Sequence, residues 1–357
     1  VTATPGAAAA PSAARTTLVF RPTDKPWGPN YLRFGVNFLN DFQGDTDFSV
    51  LGRLTRTRIN ALGAEWRTDG QFGETRRLST EFYQPLDFTG TFFVVPRFSY
   101  SFFNTDVFDG DRNLATYRTR HLAGWLSLGA QIGRYGEVRL GAARGRVDAR
   151  ERIGPGTLPE FDGDLAGWTG RVVFDRLDDS NFPHGGRLIL LEAFLARRGL
   201  GSELDYDKLS GGVVQVWSRG RHHAFVSLSA GTNLGSTIPF FDEYRMGGLF
   251  NLSGFREGQI RGQMFGVTRF GWYRRSGKLS GIFGRGIYVG AWLEAGNAWQ
   301  TRDAIGGDTL HYTGTAALGV DTFFGPLYFA YGRSDGGHDV VYLSLGRSLG
   351  GPRLFDL

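Results

Sequence analysis

The stretch Ile287-Tyr288-Val289-Gly290-Ala291-Trp292-Leu293-Glu294 decides the class of fold. Ile287, Val289, Ala291 and Leu293 fall on one face, and Tyr288, Gly290, Trp292 and Glu294 on the other. That period of two belongs to a strand with one apolar face. Arg187 to Leu195 repeats it, with Ile189, Leu191, Ala193 and Leu195 opposite Glu192. Near the C-terminus Val341, Leu343 and Leu345 stand opposite Tyr342, Ser344 and Gly346. Gln259 to Trp272 sets Arg261, Gln263 and Arg269 against Phe270 and Trp272. A soluble sandwich would also alternate in this way. Length separates the two: many runs reach about 11 to 15 residues, against a globular norm of about 5 to 6. A tilted membrane strand takes about 9 to 11 residues in hydrocarbon alone. The apolar faces are therefore expected to look at lipid and the polar faces to line an interior.

Composition agrees. The 357 residues include 54 Gly, 30 Phe, 13 Tyr and 8 Trp. Each Gly inside a helix costs about 1 kcal/mol relative to Ala, so this glycine content favours strands and turns. No apolar run reaches the roughly 18 residues that a membrane helix needs; Leu188-Ile189-Leu190-Leu191 is broken at once by Glu192. Forty basic residues stand against 35 acidic ones, a formal charge of +5. No single element gathers the Lys/Arg cluster of a nucleic-acid site, and no nucleic-acid partner is expected. The absence of Cys excludes disulfides and thiolate metal centres.

Residues 1–24 read as linker plus the remnant of a periplasmic module, with Ala/Pro/Ser-rich low complexity over 1–15. The missing start Met, basic n-region and apolar h-region lead us to expect a removed signal peptide or a longer upstream chain. Residues 25–357 read as barrel, an all-β fold of sixteen antiparallel transmembrane strands. The strands are expected at 31–40, 46–57, 61–72, 76–85, 91–103, 113–131, 136–149, 164–177, 186–198, 205–218, 222–234, 258–273, 285–299, 311–323, 326–334 and 339–349. An even number suits an up-and-down barrel, which has no free edge. The longer connections 151–162, 235–257 and 300–310 are assigned to the cell exterior, the short turns 132–135 and 324–325 to the periplasmic rim. Tyr31, Phe42, Phe92, Phe93, Tyr288 and Tyr331 lie near strand ends, where aromatic girdles form.

The run Gly247-Gly248-Leu249-Phe250-Asn251-Leu252-Ser253-Gly254-Phe255-Arg256 resembles the sixth outer loop of the barrel superfamily that includes BamA and two-partner secretion transporters. Asp178-Asp179-Ser180-Asn181-Phe182-Pro183-His184-Gly185-Gly186 resembles the periplasmic turn before its ninth strand. Glu294-Ala295-Gly296-Asn297-Ala298-Trp299 resembles its thirteenth-strand motif, and Gly314 to Gly332 its closing hairpins. Lys25 to Gly35, Asp41-Phe42-Gln43-Gly44, Glu65-Trp66-Arg67 and Glu81 to Leu86 resemble, more narrowly, the barrel of patatin-like phospholipase autotransporters. That resemblance implies a long sixth loop folded toward the lumen and a lipase passenger upstream.

One departure stands out. The wider family places Arg before the Gly-aromatic pair, where it is thought to pin the loop through an acidic partner; here that position is Ser253. Glu294 is the acidic candidate, and Arg256 is expected to supply the cation, with Arg261, Arg269 and Glu192 as further lumenal partners. A nucleophile pattern G-x-S-x-G occurs at Gly332 to Gly336 and at Gly346 to Gly350. Neither precedes helical sequence, as a nucleophile elbow requires. No cofactor, metal site or catalytic residue is expected in this chain, and any lipase activity belongs to the passenger.

The resemblance implies a bacterial outer-membrane translocator or anchor that holds or exports an N-terminal passenger. An assembly or two-partner secretion factor is the alternative, and a passive pore the next. Expected partners are outer-membrane lipids and lipopolysaccharide, the barrel-assembly machinery during insertion, and the passenger in cis; the oligomeric state stays open, a dimer included. The seam is expected between the first strand (Tyr31, Phe34) and the last (Val341, Leu343, Leu345, Gly346), where glycine weakens pairing.

Overall fold

A computed structural model describes residues 30–44, 46–110, 112–277 and 284–346. The linker 1–24, most of the Lys25–Asn30 stretch, and the second G-x-S-x-G beyond Gly346 lie outside the described residues. The strands are β1 (Asn30–Asn40), β2 (Thr46–Arg56), β3 (Glu65–Gly73), β4 (Arg76–Pro85), β5 (Phe92–Asp109) and β6 (Arg112–Ile132). Then come β7 (Gly136–Ile153), β8 (Phe161–Asp175), β9 (Gly186–Ala196), β10 (Tyr206–Arg219) and β11 (His222–Thr232). A short pair, β12 (Tyr244–Met246) and β13 (Ile260–Gly262), precedes β14 (Met264–Gly277). The chain continues through β15 (Gly286–Trp299), β16 (His311–Thr322), β17 (Gly325–Ser334) and β18 (Asp339–Gly346). All but β12 and β13 close into one antiparallel barrel in sequence order, which bears out the expected sixteen-stranded all-β fold.

The two-faced strands orient as their period requires. Leu293 is 66% exposed on the outer face of β15, whereas Tyr288, Trp292 and Glu294 are buried on the opposite face. Phe270 is exposed, and Arg269 of the same strand turns away from it. Two of the expected girdle aromatics are corrected: Phe93 and Tyr288 are buried, because their register parity sends them inward. Phe42, Phe92 and Tyr331 are exposed as a girdle needs.

Several boundaries differ from expectation. The strand expected at 258–273 starts at Met264, because residues 260–262 leave the wall to pair with 244–246. Gly262 backs onto Trp299, where a Cβ would lie 2.5 Å from the Trp299 nitrogen, so the hairpin is laid flat on β15. β5, β6 and β7 run to 18, 21 and 18 residues and carry polar residues on both faces at one end. The third strand begins at Glu65, four residues later than expected, after a turn that Asn60 ties down by accepting from Leu62 and Ala64.

Among the described residues the seam is short. β1 meets β18 through four register pairs, from Asn37–Gly346 to Asn40–Leu343, while β1 and β2 share eleven. Leu343, Leu345 and Gly346 thus stand at the seam. Tyr31 and Phe34 lie on β1 and pair with Thr55 and Gly52 on its β2 side; the positions that would face them across the seam lie outside the described residues. Val341 pairs with Tyr331 of β17.

Candidate functional site

The connection between β11 and β14 is the longest in the chain, and most of what it buries belongs to it. Ile238, Tyr244, Met246, Leu252 and Phe255 are all buried and join Val147, Leu165, Tyr206 and Phe265 of the barrel wall in one apolar cluster. The polar groups are matched as well. Ile238 N–H donates to Gln263 Oε1 at 2.6 Å, and Lys208 Nζ reaches Asp242 Oδ1 at 2.6 Å. A loop so provided with core and hydrogen bonds behaves as a folded element rather than a tether.

Its tip is made by glycines. Gly247 and Gly248 sit at φ 112° and 93°, a region closed to most side chains. Gly247 N–H donates to the Asn251 carbonyl at 2.7 Å and Gly248 N–H to the Phe255 carbonyl at 2.8 Å. Phe250 and Leu252 also adopt φ 66°, each at a cost of about 1–2 kcal/mol that the surroundings must offset.

The tip meets the side of β15 that carries Trp292 and Glu294, the side turned away from Leu293. Glu294 Oε2 accepts the Ser253 N–H at 2.7 Å and the Thr313 hydroxyl at 2.9 Å. Glu294 Oε1 accepts the Leu252 N–H at 3.2 Å and Arg269 Nε at 3.0 Å. A buried carboxylate is costly unless its lone pairs are filled, and here four donors fill them. Trp292 Nε1 donates to Ser253 Oγ at 3.3 Å, and the Tyr342 hydroxyl to the Phe255 carbonyl at 2.8 Å. Phe250 stacks on Trp292 with centroids 4.6 Å apart.

Close approach of the tip to β17 depends on two glycines. A Cβ on Gly254 would lie 2.6 Å from the Ser334 nitrogen, and one on Gly332 would lie 2.1 Å from the Ser253 carbonyl oxygen. The first G-x-S-x-G is therefore part of the loop's seat. Ser334 ends β17, and its hydroxyl accepts from the His338 N–H at 3.2 Å across a turn rather than opening a helix.

The expected cation is corrected. Arg269 of β14, which faces Glu294 directly in the strand register, makes the ion pair. The Arg256 guanidinium lies over the Phe108 ring, 4.6 Å from its centroid. Arg261 pairs with Glu243 at 3.2 Å, and Glu192 with Arg171 at 3.1 Å. Both belong to the inner lining but to separate contacts. Sequence reasoning did not place Thr313, Gly332, Ser334 or Tyr342 at the loop. Gly332 and Ser334 stood out only as a G-x-S-x-G pattern, and Thr313 and Tyr342 carry no local signal beyond their place in an alternating strand.

The turn between β8 and β9 forms a second seat. Asp178 Oδ1 accepts from the His184 N–H at 2.8 Å and the Gly185 N–H at 3.0 Å, and Gly186 closes the turn at φ 110°. Partial burial pushes the Asp178 carboxyl up, but those two N–H groups, together with the nearby His184 ring and the residue's own N–H, hold the group below its ordinary range. Phe182 is buried flat on Tyr288, with centroids 4.1 Å apart and planes 4° from parallel. Pro183 offers its carbonyl to the Tyr273 hydroxyl. Tyr328 touches both Phe182 and Phe250, so a chain of rings runs between the two seats. On the other side a cavity of about 490 Å³ is lined by β2 to β10, with Arg53, Arg139, Glu81 and Glu192 among its charges.

The fold has solved counterparts. BamA from Haemophilus ducreyi lacking POTRA domains 1–3 superposes with a TM-score of 0.70 at 14% identity, over 88% of this chain and 69% of that one. CdiB from Escherichia coli gives 0.62 at 16% identity, over 90% of this chain and 63% of that one. CdiB from Acinetobacter baumannii gives 0.61 at 11%, over 88% and 59%. The chain thus spans less than two thirds of either CdiB. No curated protein matches it. The Omp85 superfamily domain, however, matches residues 52–337, most of the barrel, and the chain belongs to that superfamily of bacterial outer-membrane barrels.

Proposed function

We propose that this barrel is a translocator or anchor of the patatin autotransporter type, which holds or exports an N-terminal passenger across the outer membrane. The observation that carries the reading is the loop tip bound by Glu294. A barrel whose largest loop has its own core and a four-donor anchor is built to be closed at rest and opened by an event. Residues 1–24 connect the barrel to the passenger, lipase chemistry resides in that passenger, and the barrel-assembly machinery inserts the product. Lipopolysaccharide and outer-membrane lipids surround it.

A second reading is supported by the likeness of fold to BamA and CdiB: the barrel serves the assembly or secretion of other proteins. The two differ in what is lost on deletion. A passenger-dedicated barrel loses the surface appearance of its own passenger alone; an assembly factor lowers the abundance of unrelated outer-membrane barrels.

A passive pore requires an unobstructed interior. Single-channel recordings of the purified barrel with and without residues 247–257 separate the cases. A plugged translocator is quiet when intact and conducts after the deletion. A pore conducts equally in both.

A further inference from the structure

The outer faces of β4 to β8 change character abruptly near one end. Leu78, Leu122, Leu126, Leu140 and Trp168 are exposed there, a lipid-facing surface. In the register the next ranks bring Arg76, Phe102, Arg120, Asp148 and Asp162 side by side on five neighbouring strands. Arg120 is the outward residue that follows Leu122, so guanidinium succeeds isobutyl within about 7 Å along the strand. Strand parity puts Arg118, Arg144, Arg146 and Arg150 on the same outer face, of which Arg144 is 68% exposed and Arg146 62%.

The carboxylates present are mostly committed. Asp162 pairs with Arg146 at 2.8 Å and Arg150 at 2.9 Å, Asp148 with Arg150 at 2.6 Å and Arg120 at 3.8 Å, and Asp164 with Arg144 at 3.4 Å. Asp106 accepts the Thr116 hydroxyl at 2.6 Å. Six arginines therefore stand against four aspartates and Glu203, whose charge reaches Arg146. The excess falls on β4 to β6, where Arg76 and Arg118 lie over the same Phe102 ring at 5.6 and 5.4 Å. Arg118 Nε is buried there without a hydrogen-bond acceptor. Arginine forks match phosphate oxygens, and this notch opens directly above acyl-facing side chains.

We infer that the outward notch formed by Arg76, Arg118 and Arg120 around Phe102 binds the phosphate of a lipid in the outer leaflet. The occupant is a phosphorylated, multiply acylated glycolipid of the lipopolysaccharide kind, its acyl chains lying along Leu78, Leu122 and Leu126. The net positive charge and the apolar step select it together: a zwitterionic lipid lacks the charge, and a free anion lacks the chains. The inference rests on the orientation expected from the sequence, in which the 151–162 connection, and with it the β5–β6 turn on the same rim, faces the cell exterior.

The test uses the intact chain in detergent, with folding verified by heat-dependent gel mobility. Native mass spectrometry compares diphosphorylated hexa-acyl lipid A, the same lipid stripped of phosphate, and inorganic pyrophosphate. Lipid A is expected to bind at least tenfold more tightly than either comparator. The triple variant R76Q/R118Q/R120Q is expected to lose that preference while its affinity for the phosphate-free lipid is unchanged. Equal binding of both lipids, pyrophosphate binding as tight as lipid A, or an unaffected triple variant overturns the inference. Orientation is read separately: Asn113→Cys, in a chain without cysteine, is labelled on intact cells by an impermeant maleimide only if that rim is outside. Failure of labelling refutes the orientation; failure of lipid selectivity with labelling intact refutes the notch alone.

Discussion

Glu294 on β15 holds the backbone of Ser253, 41 residues earlier in the chain, through a 2.7 Å hydrogen bond from the Ser253 N–H. The carboxylate is fully buried and shares its charge with Arg269 at 3.0 Å. The loop is thus captured through main-chain groups, while the compensating cation stays within the wall. That arrangement explains how Ser can occupy the position where the wider family carries Arg: the loop supplies N–H donors, and the neighbouring strand supplies the charge.

Glu294→Ala strands Arg269 and two loop N–H groups at once. Removing one member of a buried charged pair typically costs about 3–5 kcal/mol. We expect a barrel that still folds but melts at lower temperature, gains conductance and is cut by protease within 247–257. Glu294→Asp, with the charge retained on a shorter arm, should recover part of the loss. A wild-type conductance trace for Glu294→Ala would refute the anchoring role.

Gly254→Val attacks the same contact sterically. Its Cβ would sit 2.6 Å from the Ser334 nitrogen and 2.9 Å from the Arg333 carbonyl carbon, with no flexible end to yield. The loop tip should be displaced and conductance should rise, while the heat-dependent gel shift of the barrel persists. Loss of the gel shift would indicate a folding defect instead.

Phe182→Ala empties the space between Tyr288 and Tyr328. Loss of a buried Phe costs about 3 kcal/mol or more. Gly319→Ala presses on the same ring, since its Cβ would meet Phe182 at 2.8 Å. Both variants should lower the melting temperature, and Phe182→Leu should lower it less. If the ring chain transmits motion, Phe182→Ala also loosens the loop tip, which protease sensitivity at 247–257 would report.

The Asp178 turn gives a pH dependence of definite sign. Its carboxyl lies below the ordinary range in the folded chain. Its contribution is therefore present above the unfolded value of about 3.9 and is lost as pH falls through the folded value. The side chain is 50% exposed, so solvent screening keeps the effect to about 1 kcal/mol or less. Melting temperatures at pH 6 and pH 3 should differ more for the wild type than for Asp178→Asn.

At the seam, Leu39 and Ser344 are register partners. A disulfide between Leu39→Cys and Ser344→Cys should form under oxidation in a chain otherwise free of cysteine. If lateral opening serves export, the oxidised variant should lose surface display of the passenger, and reduction should restore it. Undiminished display in the locked form would exclude opening at this seam.

The amino-acid sequence by itself determined the strands, their number and their two faces. Alternation is a local property, written into runs such as Ile287 to Glu294 and fixed once one face must avoid water. It also marked the segment 247–256 and the turn at 178–186, whose glycines and proline announce unusual backbone locally. Tertiary structure alone decided which groups meet. Arg269 rather than Arg256 pairs with Glu294 because the register of β14 against β15 sets them opposite, and a slip of β14 by one residue would send Arg269 to the other face. Gly332 and Ser334 became a loop seat only when a segment some 80 residues away came to rest on them. Phe93 and Tyr288 turned inward for the same reason of parity. The outer arginine rank was invisible in any one strand, since five strands contribute to it and cross-strand neighbours are fixed by closure of the barrel.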